Sequence, residues 1–121
     1  MKVRIVIPLA FIGLFSVGNA YALTNTQAEI LGIGAATGNS MDLSKLEAAA
    51  KAGDIAAQKW LATYWDTKKD YVKAIFWYRK TAAQGNSWAE NKLGLAYSNG
   101  QGLPQSYAKA NYWYEKAAAQ R

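Results

Sequence analysis

The sequence predicts an all-α fold, a short α-solenoid of antiparallel helix pairs, from three observations. The stretch DYVKAIFWYRKTAAQGN at 70–86 recurs as SYAKANYWYEKAAAQR at 106–121, at a constant offset of 36 positions. Apolar side chains recur at intervals of three and four residues, which is the period of a helix. Glycine followed by aspartate or asparagine interrupts this pattern where helices should end and begin. A helix pair cannot bury its apolar side alone, so successive pairs are expected to stack.

Residues 1–22 have the features of a secretory signal peptide. Lys2 and Arg4 supply a basic start, an apolar run follows, and Ala20-Tyr21-Ala22 is a small-x-small cleavage site. The apolar run is too short to cross a bilayer comfortably, which argues against a membrane anchor. We therefore expect cleavage after Ala22, no stable membrane insertion afterwards, and a bacterial protein that is periplasmic or secreted.

The mature chain is expected to begin with a flexible leader at 23–41, because its glycines lie among small residues without a sustained helical period. Residues 42–53 are predicted to form half a repeat. Ser44 and Glu47 have the spacing of a capping box at its start, and Gly53 suits the left-handed position that ends a helix. The predicted repeat domain therefore spans 42–121.

The first full repeat is predicted at 54–86. Asp54 is expected to cap its first helix, and Asp70 to cap its second helix after a short DTKK turn. Gly85 should end the second helix. The apolar stripe of the first helix consists of Ala57, Leu61 and Trp65.

The second full repeat is predicted at 87–121. Ser87 and Glu90 have capping-box spacing, and Ser106 should start the last helix. The apolar stripe recurs as Ala89, Leu93 and Tyr97, at an offset of 32. The connection SNGQGLPQ is four residues longer than its counterpart, and an insertion in a loop should leave both helix pairs intact.

The conspicuous aromatics are interpreted as packing residues because they recur at fixed offsets, together with alanines and leucines at equivalent positions. The aromatic members of this predicted core are Trp65, Trp77, Tyr78, Tyr97, Trp113 and Tyr114. The small and aliphatic members are Ala57, Leu61, Ala74, Ala89, Leu93 and Ala110. Function should then reside in residues that differ between the copies.

One string carries a family resemblance. A-x-x-x-L-G-L-A-Y-x-N-G-x-G-L-P-Q-x-Y-x-K-A-x-x-W-Y-x-K-A-A, read from Ala89 to Ala118, resembles a Sel1-like repeat, a relative of the tetratricopeptide repeat. The resemblance extends to 54–86 and, for one helix only, to 43–53, about two and a half repeats in all. It implies a scaffold that binds other proteins without chemistry. The first copy departs from the pattern with Ala62 in place of Gly94, so its two helices are expected to meet at a slightly different angle.

Composition argues against catalysis and cofactors. The chain has no cysteine and no histidine, which removes disulfides, the usual general base and the commonest metal ligand. Several carboxylates are explained as helix caps, no glycine pattern for phosphate binding is present, and we expect no cofactor or metal. The mature chain has 12 basic and 8 acidic residues, a balance of +4, and its lysines are scattered. No nucleic-acid partner is expected.

In tetratricopeptide-type stacks the first helix of each pair lines the concave side, and the resemblance transfers this role here. The predicted partner-binding residues are Lys59, Thr63, Asp66, Trp88, Asn91, Leu95, Ser98 and Asn99. Trp88 is either an exposed anchor or a cover for the seam between pairs, and Trp60 poses the same question.

Two function classes follow. The first is an exported, non-enzymatic module that binds a protein or peptide, in a narrower version a periplasmic inhibitor or immunity-type protein. The alternative is an envelope glycan-binding protein or cell-wall hydrolase accessory, with Trp60, Tyr64 and Trp88 as sugar-stacking platforms. The last helix lacks a following repeat, so its face with Tyr107, Ala110, Asn111 and Tyr114 is predicted to form a homodimer or to be covered by a partner.

Overall fold

A computed structural model describes residues 22–120, so most of the predicted signal peptide lies outside the described residues. Within this part the chain forms six α-helices and no strand. The helices are α1 Asn25–Ala36, α2 Ser40–Lys51, α3 Ile55–Thr67, α4 Tyr71–Ala82, α5 Ser87–Asn99 and α6 Tyr107–Ala118. Each helix packs on the next along the chain, and α1 also packs on α3. The all-α solenoid prediction is confirmed.

Short polar side chains set the beginnings of the helices. Asp54, Asp70 and Ser106 accept hydrogen bonds from the backbone N–H three residues later, as predicted. Helix α5 differs from the prediction, because its N-cap is Asn86, which accepts from the N–H of Ala89. Asn86 follows a glycine just as Asp54 does in the preceding repeat. The predicted Ser87 and Glu90 capping box is therefore wrong.

The N-terminal part of the domain also differs from the prediction. Residues 25–36, predicted as flexible leader, form α1, which begins with a full capping box between Thr24 and Gln27. Helix α2 begins at Ser40 behind the N-cap Asn39, so the predicted capping box of Ser44 and Glu47 lies inside the helix. Buried Ala28, Gly32 and Ala35 hold α1 against the helices that follow. The predicted half repeat is thus the second helix of a complete pair.

The core runs along the stack between the helices. All six small and aliphatic residues predicted for the core are buried. Trp77 and Tyr78 are buried as well, while Trp65 and Trp113 are half-buried against the core. Tyr97 is half-buried, and Tyr114 is 37% exposed. The repeated aromatics therefore build the fold, but those of the last helix are less covered than predicted.

A partly buried hydrogen bond links the two helices of each of the last two pairs. The side-chain amide of Gln84, just after α4, donates to Oε1 of Gln58 in α3 at 2.9 Å. One repeat later, Gln120 donates to both carboxylate oxygens of the fully buried Glu90 at 3.3 Å. Gln58 is equally well buried and also donates to the carbonyl of Ala50. These contacts satisfy polar groups that would otherwise be costly inside the stack.

The connection between α5 and α6, residues 100–106, is longer than the 68–70 connection and folds back onto the preceding repeat. Gly100 ends α5 with a left-handed backbone, and Gly102 also has a positive φ of 78°. A Cβ on Gly102 would lie 2.9 Å from the backbone of Tyr71, at the start of α4. Glycine is therefore required at 102 by both its backbone angle and this close approach.

Candidate functional site

A groove crosses the first helices of the three pairs, α1, α3 and α5. Its wider part, between α1 and α3, has a volume of about 350 Å³. This part is lined by Gly32, Ile33, Ala36, Thr37, Trp60, Thr63, Tyr64, Thr67 and Lys68. Its narrower part, between α3 and α5, is lined by Lys59, Trp60, Thr63 and Trp88. Because Trp60 and Thr63 line both parts, the two parts adjoin along α3.

The local structure of α3 explains which side chains enter the groove. Ala57 and Leu61 are fully buried and fix the face that packs into the stack. Trp60 and Thr63 flank this face, and both are half-buried. The hydroxyl of Thr63 donates to the carbonyl of Lys59 at 2.9 Å, so the threonine presents mainly its methyl group.

The floor of the groove depends on Gly32. A Cβ at this position would lie 2.5 Å from Cε3 of Trp60, so the indole rests directly on the backbone of α1. Trp60 therefore joins two helix pairs and forms part of the groove wall. It packs in the seam between the first two helix pairs and is half-buried, and its role as an anchor for a partner stays a prediction.

Trp88 also joins two roles. Its ring lies edge-on to the ring of Tyr78, with centroids 5.6 Å apart, so one side covers the seam between the pairs. The ammonium groups of Lys59 and Lys92 lie 5.3 and 5.7 Å from its centroid. Such distances are typical of cation–π contacts. The two ammonium groups thus place positive charge beside the half-buried indole.

Asp66 turns toward α4. Its Oδ2 accepts a hydrogen bond of 2.6 Å from the hydroxyl of Tyr78. Burial of the phenol raises the pKa of Tyr78 above its ordinary value, and the hydrogen bond to the Asp66 carboxylate raises it further. The hydroxyl consequently remains a donor well above neutral pH, and this contact ties α3 to α4.

The structure brings together three of the predicted partner-binding residues: Lys59, Thr63 and Trp88. Asp66 and Leu95 instead line a separate small cavity, of about 20 Å³, between α3, α4 and α5. The other three lie along α5 and do not line the groove. These are Asn91 and Asn99, which are exposed, and Ser98, whose carbonyl accepts from Gln105.

Sequence reasoning missed the α1 side of the groove because residues 23–41 were predicted to be flexible. The missed lining residues are Gly32, Ile33, Ala36 and Thr37. A signal was present: Thr24 and Gln27 have capping-box spacing, and Ala28, Leu31 and Ala35 recur at helical intervals after them.

The face predicted to be uncovered at the end of the stack is only partly so. Tyr107 and Asn111 are exposed, but Ala110 is buried and the ring of Tyr114 lies against Gly94 of α5. The prediction that Ala110 lies on an outer face is therefore wrong, whereas Tyr114 packs its ring on α5 and remains 37% exposed. Self-association through the rest of α6 stays a prediction.

The arrangement of side chains suits binding. The groove offers an apolar wall, with aromatic rings and threonine methyl groups, and two lysines, Lys59 and Lys68. Among residues 22–120 no helix is long and apolar enough to span a membrane, and no three potential metal ligands of the carboxylate, imidazole or thiolate type cluster together.

Comparison with known proteins agrees with the repeated architecture. A family model described as Sel1 repeat matches residues 55–86 and 89–121. A crystal structure of a Sel1 repeat protein from Oxalobacter formigenes is similar to the whole chain, with a TM-score of 0.68 and 27% sequence identity. The alignment covers 100% of both chains.

Proposed function

Because this chain belongs to the Sel1 repeat family, we propose that it binds a peptide segment of a protein partner in the groove across α1, α3 and α5. Sel1 repeats are generally protein–protein interaction modules and are typically non-catalytic. The observation that carries the proposal is that two cavities adjoin across the first helices of the pairs, with Trp60 and Thr63 lining both of them. A half-buried aromatic at the centre of a concave surface is the usual anchor of an interface.

Site-specific crosslinking tests the proposal. A photo-crosslinking amino acid is placed at Thr63 in the groove and, as a control, at Phe76, which is 50% exposed on α4 and lines a different surface. The protein is irradiated in the cells that produce it. We expect a discrete crosslinked protein from position 63 and none from position 76. The same adducts from both positions, or adducts from 76 alone, would contradict the groove.

Export is part of the proposal. It is supported by the signal-like residues 1–22 and by the position of every described helix downstream of the predicted cleavage site. The expected mature N-terminus is Leu23 in the periplasm or medium. Cell fractionation with mass spectrometry of the N-terminal peptide tests this expectation, and an intact Met1 in the cytosolic fraction would refute it.

The narrower form of the proposal is a periplasmic inhibitor or immunity-type protein that blocks one toxic enzyme. A stack of three helix pairs offers one modest surface, which favours a single dedicated partner over many. Cells that lack the protein should lose fitness beside toxin-bearing neighbours, and expression of the Thr63→Arg variant should not restore it. Equal fitness with and without the protein would contradict the inhibitor or immunity role.

A glycan remains the second candidate, because Trp60, Tyr64 and Trp88 all line the same groove. Lysines lie over two of these rings, Lys68 over Tyr64 and both Lys59 and Lys92 over Trp88, which leaves less free ring surface for a sugar. Tryptophan fluorescence titrated with peptidoglycan fragments should therefore stay constant. A saturable change that Thr63→Arg abolishes would favour the glycan instead.

A further inference from the structure

Two lysines converge on one indole of the groove. Lys59 reaches Trp88 from α3 and Lys92 reaches it from within α5, with ammonium groups 5.3 and 5.7 Å from the ring centroid. The five other lysine–aromatic contacts among residues 22–120 each involve a separate ring. Both lysines are half-buried, so their charges are screened less than those of fully exposed lysines.

Neither lysine forms an ion pair in the described part of the chain. The ion pair found there joins Lys73 and Asp70, at 3.6 Å. The carboxylates of α3 and its cap are engaged elsewhere, since Asp66 accepts from Tyr78 and Asp54 accepts from two backbone N–H groups. Of these carboxylates, Asp66 lines the small cavity between α3, α4 and α5 together with Lys92. Among the described residues no carboxylate lines the groove, whereas Lys59 and Lys68 do. The groove therefore offers positive charge to an anion.

We infer that the segment bound in the groove is acidic. This inference rests on the proposed function and names the chemistry of its partner. An Asp or Glu carboxylate of the partner contacts Lys59, which lines the groove, because ammonium and carboxylate groups form strong charge-assisted hydrogen bonds. Lys92 adds positive charge at the same ring. An apolar side chain next to it enters the wider cavity beside Trp60 and Tyr64, which can take a large side chain.

A random peptide library displayed on phage tests the inference without knowledge of the natural partner. The chain from Leu23 to Arg121 is the bait, and enriched peptides are synthesised and titrated by fluorescence anisotropy. The lysine variants are Lys59→Gln, Lys92→Gln and the double variant. The matched control is Lys80→Gln, because Lys80 also lies over an aromatic ring, Phe76, but outside the groove. Thr63→Arg blocks the groove itself.

We expect enriched peptides rich in Asp and Glu. Each single lysine variant should weaken their binding about three- to fivefold and the double variant about tenfold, while Lys80→Gln leaves binding unchanged. Higher salt should weaken binding to the wild type and much less to the double variant.

The other outcomes separate the two proposals. If the enriched peptides have no acidic bias and Thr63→Arg abolishes their binding, the inference of an acidic partner is wrong and the proposed binding in the groove stands. An absence of enriched peptides, or binding that Thr63→Arg leaves intact, would overturn both. A labelled single-stranded oligonucleotide that binds more tightly than the acidic peptides, with the same lysine dependence, would replace the peptide with nucleic acid.

Discussion

At the residue scale, Glu90 places a carboxylate where the preceding repeat has an amide. It is fully buried, and its partner in residues 22–120 is the amide of Gln120, whereas Gln58 at the equivalent position both donates and accepts. A neutral amide avoids the cost of burying a carboxylate and gains a donor for the end of α4.

We therefore predict that Glu90→Gln raises the free energy of unfolding by about 1 kcal/mol or more. Urea unfolding followed by circular dichroism measures the change. Glu115→Gln, at an exposed position of α6, is the control and should change stability little. A lower stability of Glu90→Gln would show that the carboxylate is better satisfied than this contact implies.

The hydrogen bond between Tyr78 and Asp66 predicts a dependence on alkaline pH. The pKa of Tyr78 is raised in the folded protein, so the unfolded chain loses this proton first, from about pH 10 upwards. The stabilisation that the Tyr78 hydroxyl contributes is fully present below about pH 10 and is lost as the pH rises above this value.

Tyr78→Phe should lower the free energy of unfolding at pH 7 by about 1 to 3 kcal/mol, since a hydrogen bond to a charged group is lost. Above pH 10 the wild type should lose stability more steeply than the variant. Denaturant unfolding between pH 7 and pH 11 measures both curves. Parallel curves over this range would contradict the role assigned to the hydroxyl.

At the scale of the helices, α1 and α3 are joined by the contact of Gly32 with Trp60. Gly32→Ala would normally favour a helix by about 1 kcal/mol. Here the added methyl group would meet the indole, so we expect a net loss of stability and weaker peptide binding, because Trp60 must leave the groove wall.

Thermal unfolding and anisotropy measure the two effects of Gly32→Ala. The rescue variant is Gly32→Ala with Trp60→Phe, whose smaller ring leaves room for the methyl group and should recover stability more than binding. If Gly32→Ala alone is as stable as the wild type and binds the peptide equally well, the indole of Trp60 moves aside without loss of stability, which would contradict the prediction.

Sequence reasoning succeeded where the information was local or repeated. The caps at Asp54, Asp70 and Ser106 follow from residue type and spacing, and the core follows from recurrence at fixed offsets. Helix α1 has no repeated aromatic pair, and its stability depends on distant contacts such as that of Gly32 with Trp60. The capping-box spacing of Thr24 and Gln27 indicates the helix itself. Residue patterns do not show contacts between distant residues, so the position of α1 beside Trp60 could not be predicted.

The same limit explains the individual site residues. Lys59, Thr63 and Trp88 line the groove because helical spacing puts them beside the buried stripe, and their contact with a partner stays a prediction. Asp66 lies on the same helix, but its direction is set by a tyrosine from α4, twelve positions away in sequence. A partner in another helix decided its orientation.

At the scale of the whole molecule, the proposed cleavage after Ala22 would create a new charge. The backbone nitrogen of Leu23 already donates to Oδ2 of Asp54 at 2.7 Å. In a chain that begins at Leu23 this nitrogen is an ammonium group, so the start of the chain would be tied to the cap of α3 by an ion pair.

We predict that N-terminal acetylation of the chain from Leu23 lowers the free energy of unfolding by about 0.5 to 1 kcal/mol. The effect is small because a partly exposed ion pair contributes little to stability. In an Asp54→Asn background, acetylation should have no effect. Chemical denaturation of the wild type and of Asp54→Asn, each with and without the acetyl group, completes this double-mutant cycle. An acetylation effect that persists with asparagine would place the charge interaction elsewhere.

The long connection between α5 and α6 ties neighbouring repeats to one another. Gly102 lies against the backbone of Tyr71, so the loop of the last repeat contacts the first residue of α4. Detachment of the last pair therefore removes a contact that supports the repeat before it. In hydrogen exchange, the start of α4 and the α5–α6 pair should open with similar free energies, as one cooperative unit.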